Sequence, residues 1–186
     1  MIDEVDHHFL LVLGFPEARV NDPASAIHQL RSGAGDAQVQ LVKADLVAGV
    51  EHVKLSAAHA LRSFYGKKPR SKSLAIELLL FISCQRQISK AVKELGVETS
   101  DKRILLVALS DSKDVLQVLE RDSKSMFGET DDRLIEIGSK RKLASLQRSY
   151  GVSNRELEAS RFEGESVADV LKRSIIERSA LLSVID

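Results

Sequence analysis

The chain has a single cysteine among its 186 residues, so an internal disulfide and a multi-cysteine metal site are both excluded. Long apolar runs are also lacking: runs such as residues 9–13 and 78–82 are far shorter than a membrane-spanning helix. The sequence does not open with a basic segment followed by an apolar one, as a secretory leader would. We therefore expect a soluble, cytoplasmic protein that carries neither a metal ion nor a cofactor.

Net charge is absent too, because 27 basic residues balance 27 acidic ones. The balance is uneven along the chain, since residues 1–51 carry eight acids and three bases whereas residues 52–76 carry no acid. The bases of this basic segment, residues 52–76, are Lys54, Arg62, Lys67, Lys68, Arg70 and Lys72. A local excess of positive charge attracts the phosphates of a nucleic acid. The basic segment therefore predicts a polyanion site, with a merely solvated loop as the alternative.

Hydrophobic residues make up 44% of the chain, enough for one well-buried core, and we expect a single domain over residues 1–186. Short runs of branched and aromatic residues between turn formers predict four strands, at residues 8–13, 38–43, 76–83 and 103–109. The run at 78–82 shows no polar alternation, which is typical of a strand covered on both faces. These patterns predict a mixed α/β (α+β) fold, with a central sheet of about four strands flanked by helices and a helical C-terminal third.

Apolar residues recur at helical spacing in most of the remaining segments. Five helices are predicted in this way, at residues 45–64, 88–95, 139–150 and 166–185 and directly after Asp111. Gly66 and Gly96 follow two of them, where a left-handed residue commonly closes a helix.

The apolar stripe of the last predicted helix contains an arginine, Arg178. An unpaired buried guanidinium would cost several kcal/mol, so Arg178 needs an acidic or carbonyl partner within the molecule or across an interface. Ile176 projects from the opposite, polar face beside Lys172 and Ser179. An exposed isoleucine there is either incidental or an anchor for a partner.

Motifs for catalysis are incomplete. Gly33 and Gly35 lack the third glycine of a dinucleotide-binding loop. His52 and His59 lie about 10 Å apart along one helix, too far to share a metal ion, and are expected on the solvated surface. Arg86 would lower the pKa of the Cys84 thiol, but no histidine is close in sequence, and a buried thiol at the end of a strand is the commoner case. These residues favour a protein that is not an enzyme.

Five short segments carry a resemblance to a known family. They are Phe-Pro-Glu-Ala-Arg-Val at 15–20, Lys-Ser-Leu at 72–74 with Glu77 and Ser83, Ile88-Ser89 with Ala91, Leu-Gly-Val at 95–97, and Ser-Ile-Ile-Glu-Arg at 174–178. Together with Arg86-Gln87-Ile88 and Gly49-x-x-His52, they resemble the archaeal branch of the Cgi-type kinase-binding subunits of the KEOPS complex, the TPRKB family. Two features depart from the family pattern: Cys84 stands where many archaeal members carry glycine, and residues 69–72 replace a loop of Asn-Ile-Ser type.

The resemblance implies a non-catalytic subunit that docks on the N-terminal lobe of the small atypical KEOPS kinase, with other subunits contacted indirectly. It also implies that the subunit recruits tRNA through the 3′ CCA end, so that the catalytic subunit can install threonylcarbamoyl on an adenosine next to the anticodon. The predicted tRNA contacts are His52, Lys67, Lys68, Arg70, Lys72, Arg86 and Gln87. The predicted kinase contacts are Lys172, Ile175, Ile176, Arg178 and Ser179.

Two aromatic residues, Phe64 and Tyr65, lie within the basic segment, shortly before Lys67 and Lys68. Either one, if exposed, can stack on an unpaired base, although Phe64 is expected in the core. Two alternatives stay open: a free-standing RNA-binding protein that functions without a kinase, and a small-molecule enzyme of α/β fold that uses Cys84 or the histidines.

Overall fold

The computed structural model describes residues 2–66 and 69–184, and that part of the chain contains one antiparallel sheet with strand order β1-β2-β4-β3. The strands are β1 (Ile2–Val5), β2 (His8–Phe15), β3 (Gln38–Lys43) and β4 (Ile104–Ser110). The helices are α1 (Pro23–Ser32), α2 (Val50–Phe64), α3 (Leu74–Ser83), α4 (Ile88–Leu95), α5 (Lys113–Phe127), α6 (Lys140–Tyr150), α7 (Asn154–Ala159) and α8 (Val167–Leu181). The predicted mixed α+β architecture with a helical C-terminal part is confirmed.

One of the four predicted strands is wrong, because residues 76–83 belong to helix α3. All of α3 except Ile76 is buried, so the helix is covered around its whole circumference and its sequence shows no amphipathic period. A short apolar run of this kind cannot be assigned to strand or helix by periodicity alone. The leucine-rich composition fits a buried helix, and the fourth strand of the sheet is instead β1, which was not predicted.

The predicted helix ends also need correction. Helix α2 begins at Val50 rather than at residue 45, after a separate 3₁₀ turn at Ala44–Leu46. Neither Gly66 nor Gly96 adopts the left-handed conformation. Two other residues close helices in this way, Cys84 with φ of 53° at the end of α3 and Gly151 with φ of 64° at the end of α6.

The sheet lies between two helical layers. Helices α2, α3 and α4 pack on one face of the sheet, around side chains such as Leu61, Leu78 and Leu105. Helices α1 and α5 cover the other face. Helices α6, α7 and α8 form a third apolar cluster around Leu146 and Ile175, next to the ends of α2 and α3. Within the described residues, no helix is long and apolar enough to cross a bilayer.

Candidate functional site

The β1–β2 hairpin neutralises part of the basic segment. Asp3 lies 3.1 Å from the Lys54 ammonium, and Asp6 accepts two hydrogen bonds from the Arg62 guanidinium at 2.9 and 3.3 Å. The basic segment therefore does not carry a local charge of plus six. Two of its six bases are paired with acids of the N-terminal hairpin. Lys67 and Lys68 lie outside the described residues.

A buried carboxylate shapes the loop that leads into α3. Glu77 is fully buried and accepts hydrogen bonds from the Ser71 backbone N–H at 2.6 Å and from the Ser63 hydroxyl at 3.2 Å. The Ser71 hydroxyl in turn accepts the Ser73 N–H at 3.1 Å. Glu77 thus ties this loop, residues 69–73, to both α2 and α3.

Two bases on this loop have different surroundings. Arg70 is half-buried, donates to the backbone carbonyl of Leu182 after α8, and places its guanidinium carbon 5.8 Å from the centre of the Phe81 ring. Lys72 is exposed. Of these two predicted tRNA contacts, Lys72 therefore presents its charge to solvent, whereas Arg70 holds the end of α8.

A cleft of about 530 Å³ opens at the junction of α3 and α4, and we refer to it as the α3–α4 cleft. Its lining comes from three separate parts of the chain: Ser83, Cys84, Gln85, Arg86, Gln87, Lys90, Ser149, Tyr150, Arg178, Leu181 and Leu182. None of these described lining residues is acidic, whereas three are cationic. The cleft brings the predicted contacts Arg86 and Gln87 together with Lys90, Ser149 and Leu181, which the sequence reasoning missed because they lie on α4, α6 and α8.

The N-terminus of α4 forms one wall of this cleft. Gln87 occupies the N-cap position without a side-chain hydrogen bond to the helix, and the first turn contains no acidic residue. The partial positive charge of a helix N-terminus and its unbonded N–H groups favour anions. Arg86 and Lys90, both exposed, flank this end. The wall is therefore positive in both its side chains and its backbone.

Tyr150 anchors the floor of the cleft. Its hydroxyl lies 2.8 Å from the carbonyl oxygens of both Leu46 and Ile82, and can donate to either. This contact joins the end of α6 to the end of α3 and to the 3₁₀ turn before α2. Burial raises the pKa of the Tyr150 phenol well above its ordinary value, so the hydroxyl stays protonated and able to donate.

The Cys84 thiol also faces the cleft but is poorly suited to nucleophilic chemistry. Burial raises its pKa to about 12, and the nearby Arg178 offsets only part of that effect. Its sulfur lies 3.6 Å from the Ile175 carbonyl oxygen. The thiol is mostly buried, as predicted, although it lies at the end of a helix rather than a strand. Its backbone is left-handed, with φ of 53°, a conformation that glycine adopts without strain because it has no Cβ.

His52 was predicted on the solvated surface, and that prediction is wrong. The side chain is fully buried behind Tyr150, with ring centres 5.8 Å apart, and its Nδ1 accepts the Ala48 N–H at 3.2 Å. Burial lowers the pKa of His52 to about 4, so the ring is neutral at pH 7. Since no edge of the ring reaches the surface, His52 supports the cleft from behind and does not contact an RNA base. His59 is half-buried and stacked on Phe81, with ring centres 5.9 Å apart.

The predicted kinase contacts on α8 divide into buried and accessible residues. Ile175 and Ser179 are fully buried, and Ser179 donates to the Phe81 carbonyl at 2.9 Å, so neither is available to a partner. Arg178 finds its acid within the molecule, because its guanidinium lies 2.8 Å from the Glu156 carboxylate of α7. Of the two possibilities for Arg178, the structure therefore shows the internal one.

Helices α2 and α8 meet along a surface that we call the α2–α8 seam. At one end, Lys172 lies 3.4 Å from Glu51, and at the other end Ser183 lies 3.2 Å from His59. Between these contacts, α2 carries Leu55 and α8 carries the half-buried Ile176, so Ile176 does not project from an isolated polar face. Leu55 is 43% exposed and lies one turn after Glu51, as Ile176 lies one turn after Lys172; it was not predicted because only the docking of the two helices brings these turns to one surface.

The acid-free cleft and the partly apolar seam are features of a protein that binds other molecules. Among the described residues, no group of three or more histidine, cysteine, aspartate or glutamate side chains could hold a metal ion. Residues 18–183 match the family described as kinase binding protein CGI-121. The chain therefore belongs to the CGI-121 family, and the family resemblance in the sequence is confirmed.

One relative is the regulatory protein Cgi121 of Methanocaldococcus jannaschii, which is 35% identical over 98 residues. The matched region covers 53% of this chain and 60% of the relative.

Proposed function

We propose that this protein is a non-catalytic subunit of the KEOPS complex that binds the small kinase and recruits tRNA through its 3′ CCA end. The observation that carries the proposal is the α3–α4 cleft, whose described lining combines Arg86, Lys90 and a helix N-terminus with no acid, while its third cation, Arg178, pairs with Glu156. The match to a family described as kinase-binding supports a kinase as the protein partner. The resemblance to KEOPS subunits supports tRNA as the nucleic-acid partner.

The terminal nucleotides of tRNA fit the chemistry of this cleft. They are single-stranded, so their bases can leave the stack and present hydrogen-bonding edges. Arg86 and Lys90 provide charge for phosphates, and the Gln87 amide can pair with a base edge. The cleft volume of about 530 Å³ lies within the range of small-molecule sites, enough for one or two nucleotides at a time.

The tRNA part of the proposal is tested by measuring the affinity of intact tRNA, of tRNA trimmed of its 3′ CCA, and of tRNA with an altered anticodon loop. We expect trimming to weaken binding strongly and the anticodon change to have little effect. With three or four phosphates contacted, the slope of log affinity against log salt should be about −2 to −3. Equal binding of intact and trimmed tRNA, or a slope near zero, would contradict the proposal.

The α2–α8 seam is the surface that we propose for the kinase. The seam carries an exposed leucine on α2 and a half-buried isoleucine on α8, each one turn after the polar pair Glu51–Lys172, which matches the apolar centre and polar rim of a protein interface. Lys172 also lies 3.2 Å from Glu136, so the seam is held in place before any partner arrives. A preformed surface loses less entropy on binding.

The kinase part is tested with Leu55→Asp, because Leu55 is already 43% exposed and its replacement should spare the fold. Val118 on α5 is 36% exposed and lies on the opposite layer, so Val118→Asp is the matched control. We expect Leu55→Asp to lower kinase affinity by roughly 10-fold to 100-fold, as for an interface anchor, with an unchanged Tm and unchanged tRNA binding. Wild-type kinase affinity for Leu55→Asp would show that the seam is not the docking surface.

A further inference from the structure

A second cleft, of about 320 Å³, lies at the end of the sheet next to the loop 69–73. Its walls include His8 at the start of β2, Tyr65 after α2, Lys72 on the loop, and Asp36 and Asp111 near the ends of β3 and β4. We refer to it as the His8–Tyr65 cleft. It therefore combines an aromatic ring, a cation and carboxylates on one concave surface.

Tyr65 is presented to solvent in a fixed orientation. The side chain is 66% exposed, with its ring stacked 5.7 Å from the His8 ring at 30° and in edge contact with Phe64 at 5.3 Å. His8 is itself held, because its Nδ1 lies 3.0 Å from the Asp6 carbonyl oxygen and its Nε2 lies 3.1 Å from the Asp111 carboxylate. Phe64 packs against the core, as predicted, and Tyr65 is the exposed member of the pair.

An exposed, preorganised ring beside a lysine is the arrangement that single-stranded nucleic acids use, with a base stacked on the ring and a phosphate on the cation. Lys72 provides that cation. The Asp111 side chain is 74% exposed and can accept a hydrogen bond from the exocyclic amine of adenine, cytosine or guanine, which uracil lacks. The chemistry of the cleft therefore fits one unpaired nucleotide, with uridine the least favoured.

The loop 69–73 separates this cleft from the α3–α4 cleft. Arg70 donates to Leu182, which lines the α3–α4 cleft, and Lys72 lines the His8–Tyr65 cleft. The two clefts also include opposite ends of α3 in their linings, Ser83 in one and Leu74 in the other, which lie about 14 Å apart at 1.5 Å per residue.

We propose that the His8–Tyr65 cleft holds a second unpaired nucleotide of the RNA whose terminal nucleotides occupy the α3–α4 cleft, with its base stacked on Tyr65 and its phosphate on Lys72. This inference rests on the proposed tRNA function. It adds a nucleotide upstream of the CCA end to the RNA that the protein contacts. It also gives the exposed tyrosine and the loop lysine one common role.

The test compares the ribotrinucleotide CCA with tetranucleotides that carry A, C, G or U before it, by fluorescence anisotropy. Base stacking on an aromatic ring predicts that a fourth nucleotide raises affinity by about 5-fold to 50-fold, with U the weakest. Tyr65→Ala should remove this gain and Tyr65→Trp should retain it. Phe162→Ala is the control, because Phe162 is another exposed aromatic, at 69%, that lies beside Arg173 away from both clefts.

A stacking contact also has a direct optical signature. A 2-aminopurine placed as the fourth nucleotide should lose fluorescence on binding the wild-type protein and keep it on binding Tyr65→Ala. If CCA binds but the fourth nucleotide adds nothing, or if Tyr65→Ala affects only kinase binding, this inference is overturned while the proposed function stands. If neither CCA nor intact tRNA binds, the proposed function itself fails.

Discussion

The basic segment and the α3–α4 cleft differ in where their charge comes from. The basic segment holds six bases and no acid in sequence, yet Lys54 and Arg62 pair with Asp3 and Asp6 and Arg70 donates to the end of α8. The cleft collects its bases from two parts of the chain, Arg86 and Lys90 at the start of α4 and Arg178 on α8, and no acid is among its described lining residues. The comparison shows that a charge count along the chain does not measure the local field, because distant segments add charges to a site or neutralise them.

The pKa of the Cys84 thiol depends on two opposing effects, burial and the positive charge of neighbouring residues. Sequence proximity to Arg86 suggests a lowered pKa, whereas burial raises it to about 12. At pH 8 we expect iodoacetamide to react with native Cys84 on the order of 100-fold more slowly than with the urea-unfolded chain, because little thiolate is present. The slow rate should persist in Arg86→Gln. Equal rates in the native and unfolded states would mean that burial does not control this thiol.

Matched pairs of substitutions compare the two regions directly. Arg86→Gln/Lys90→Gln removes two charges that line the cleft, and Lys54→Gln/Arg62→Gln removes two charges of the basic segment that do not line it. We expect the first pair to reduce tRNA affinity roughly 30-fold, because phosphate contacts are lost. The second pair should reduce it by less than about threefold, because the phosphate contacts of the cleft are retained. Titration by fluorescence anisotropy at fixed salt measures both. Similar losses in the two variants would restore the basic segment as the main site.

Lys142 extends the comparison to a buried base outside both the basic segment and the cleft. It is 2% exposed, donates to the Leu134 and Ile135 carbonyls at 2.8 Å, and has its pKa lowered to about 8, chiefly by burial. A lysine pKa lower in the folded state means that the unfolded chain binds more protons between about pH 8 and 10.5, so stability should rise with pH across this window.

The expected gain in the free energy of unfolding between pH 7 and 9.5 is on the order of 2 kcal/mol. Urea denaturation of wild type and Lys142→Met at both pH values isolates this contribution, since the other titrating groups are common to both proteins. The same pH dependence in both proteins would contradict the assignment.

Substitution of Glu77 tests how much the hydrogen bonds between this α3 carboxylate and its neighbours, including the loop 69–73, contribute to stability. Hydrogen bonds to a charged group contribute about 1.5–3 kcal/mol, so Glu77→Gln, which keeps the shape but not the charge, should lower the free energy of unfolding by about 1.5 kcal/mol. Glu51→Gln changes an exposed carboxylate on α2 and should cost less than about 0.5 kcal/mol. Urea denaturation compares the two, and equal effects would show that the buried contacts of Glu77 contribute little.

Local patterns predicted the amphipathic helices and three of the strands, and they failed for one fully buried helix. Helices α4, α5, α6 and α8 follow their hydrophobic periods, whereas β2, β3 and β4 are mostly or wholly buried and were predicted from short runs of branched and aromatic residues between turn formers. Helix α3 was assigned as a strand because its period disappears when neighbours cover every side. For the same reason His52 was placed on the surface: a polar residue on a predicted helix gives no sign that α6 and α3 enclose it.

The sequence by itself determined the mixed α+β class, the family and the adjacency of Arg86 and Gln87 at the start of α4. Tertiary structure decided which charges stay available, since Asp6 meets Arg62 from 56 residues away and Glu156 meets Arg178 from 22. It also assembled the cleft and the seam, whose walls come from segments far apart in the chain. The physical reason is that exposure and ion pairing depend on which surfaces pack together, and that packing is decided by long-range contacts between elements.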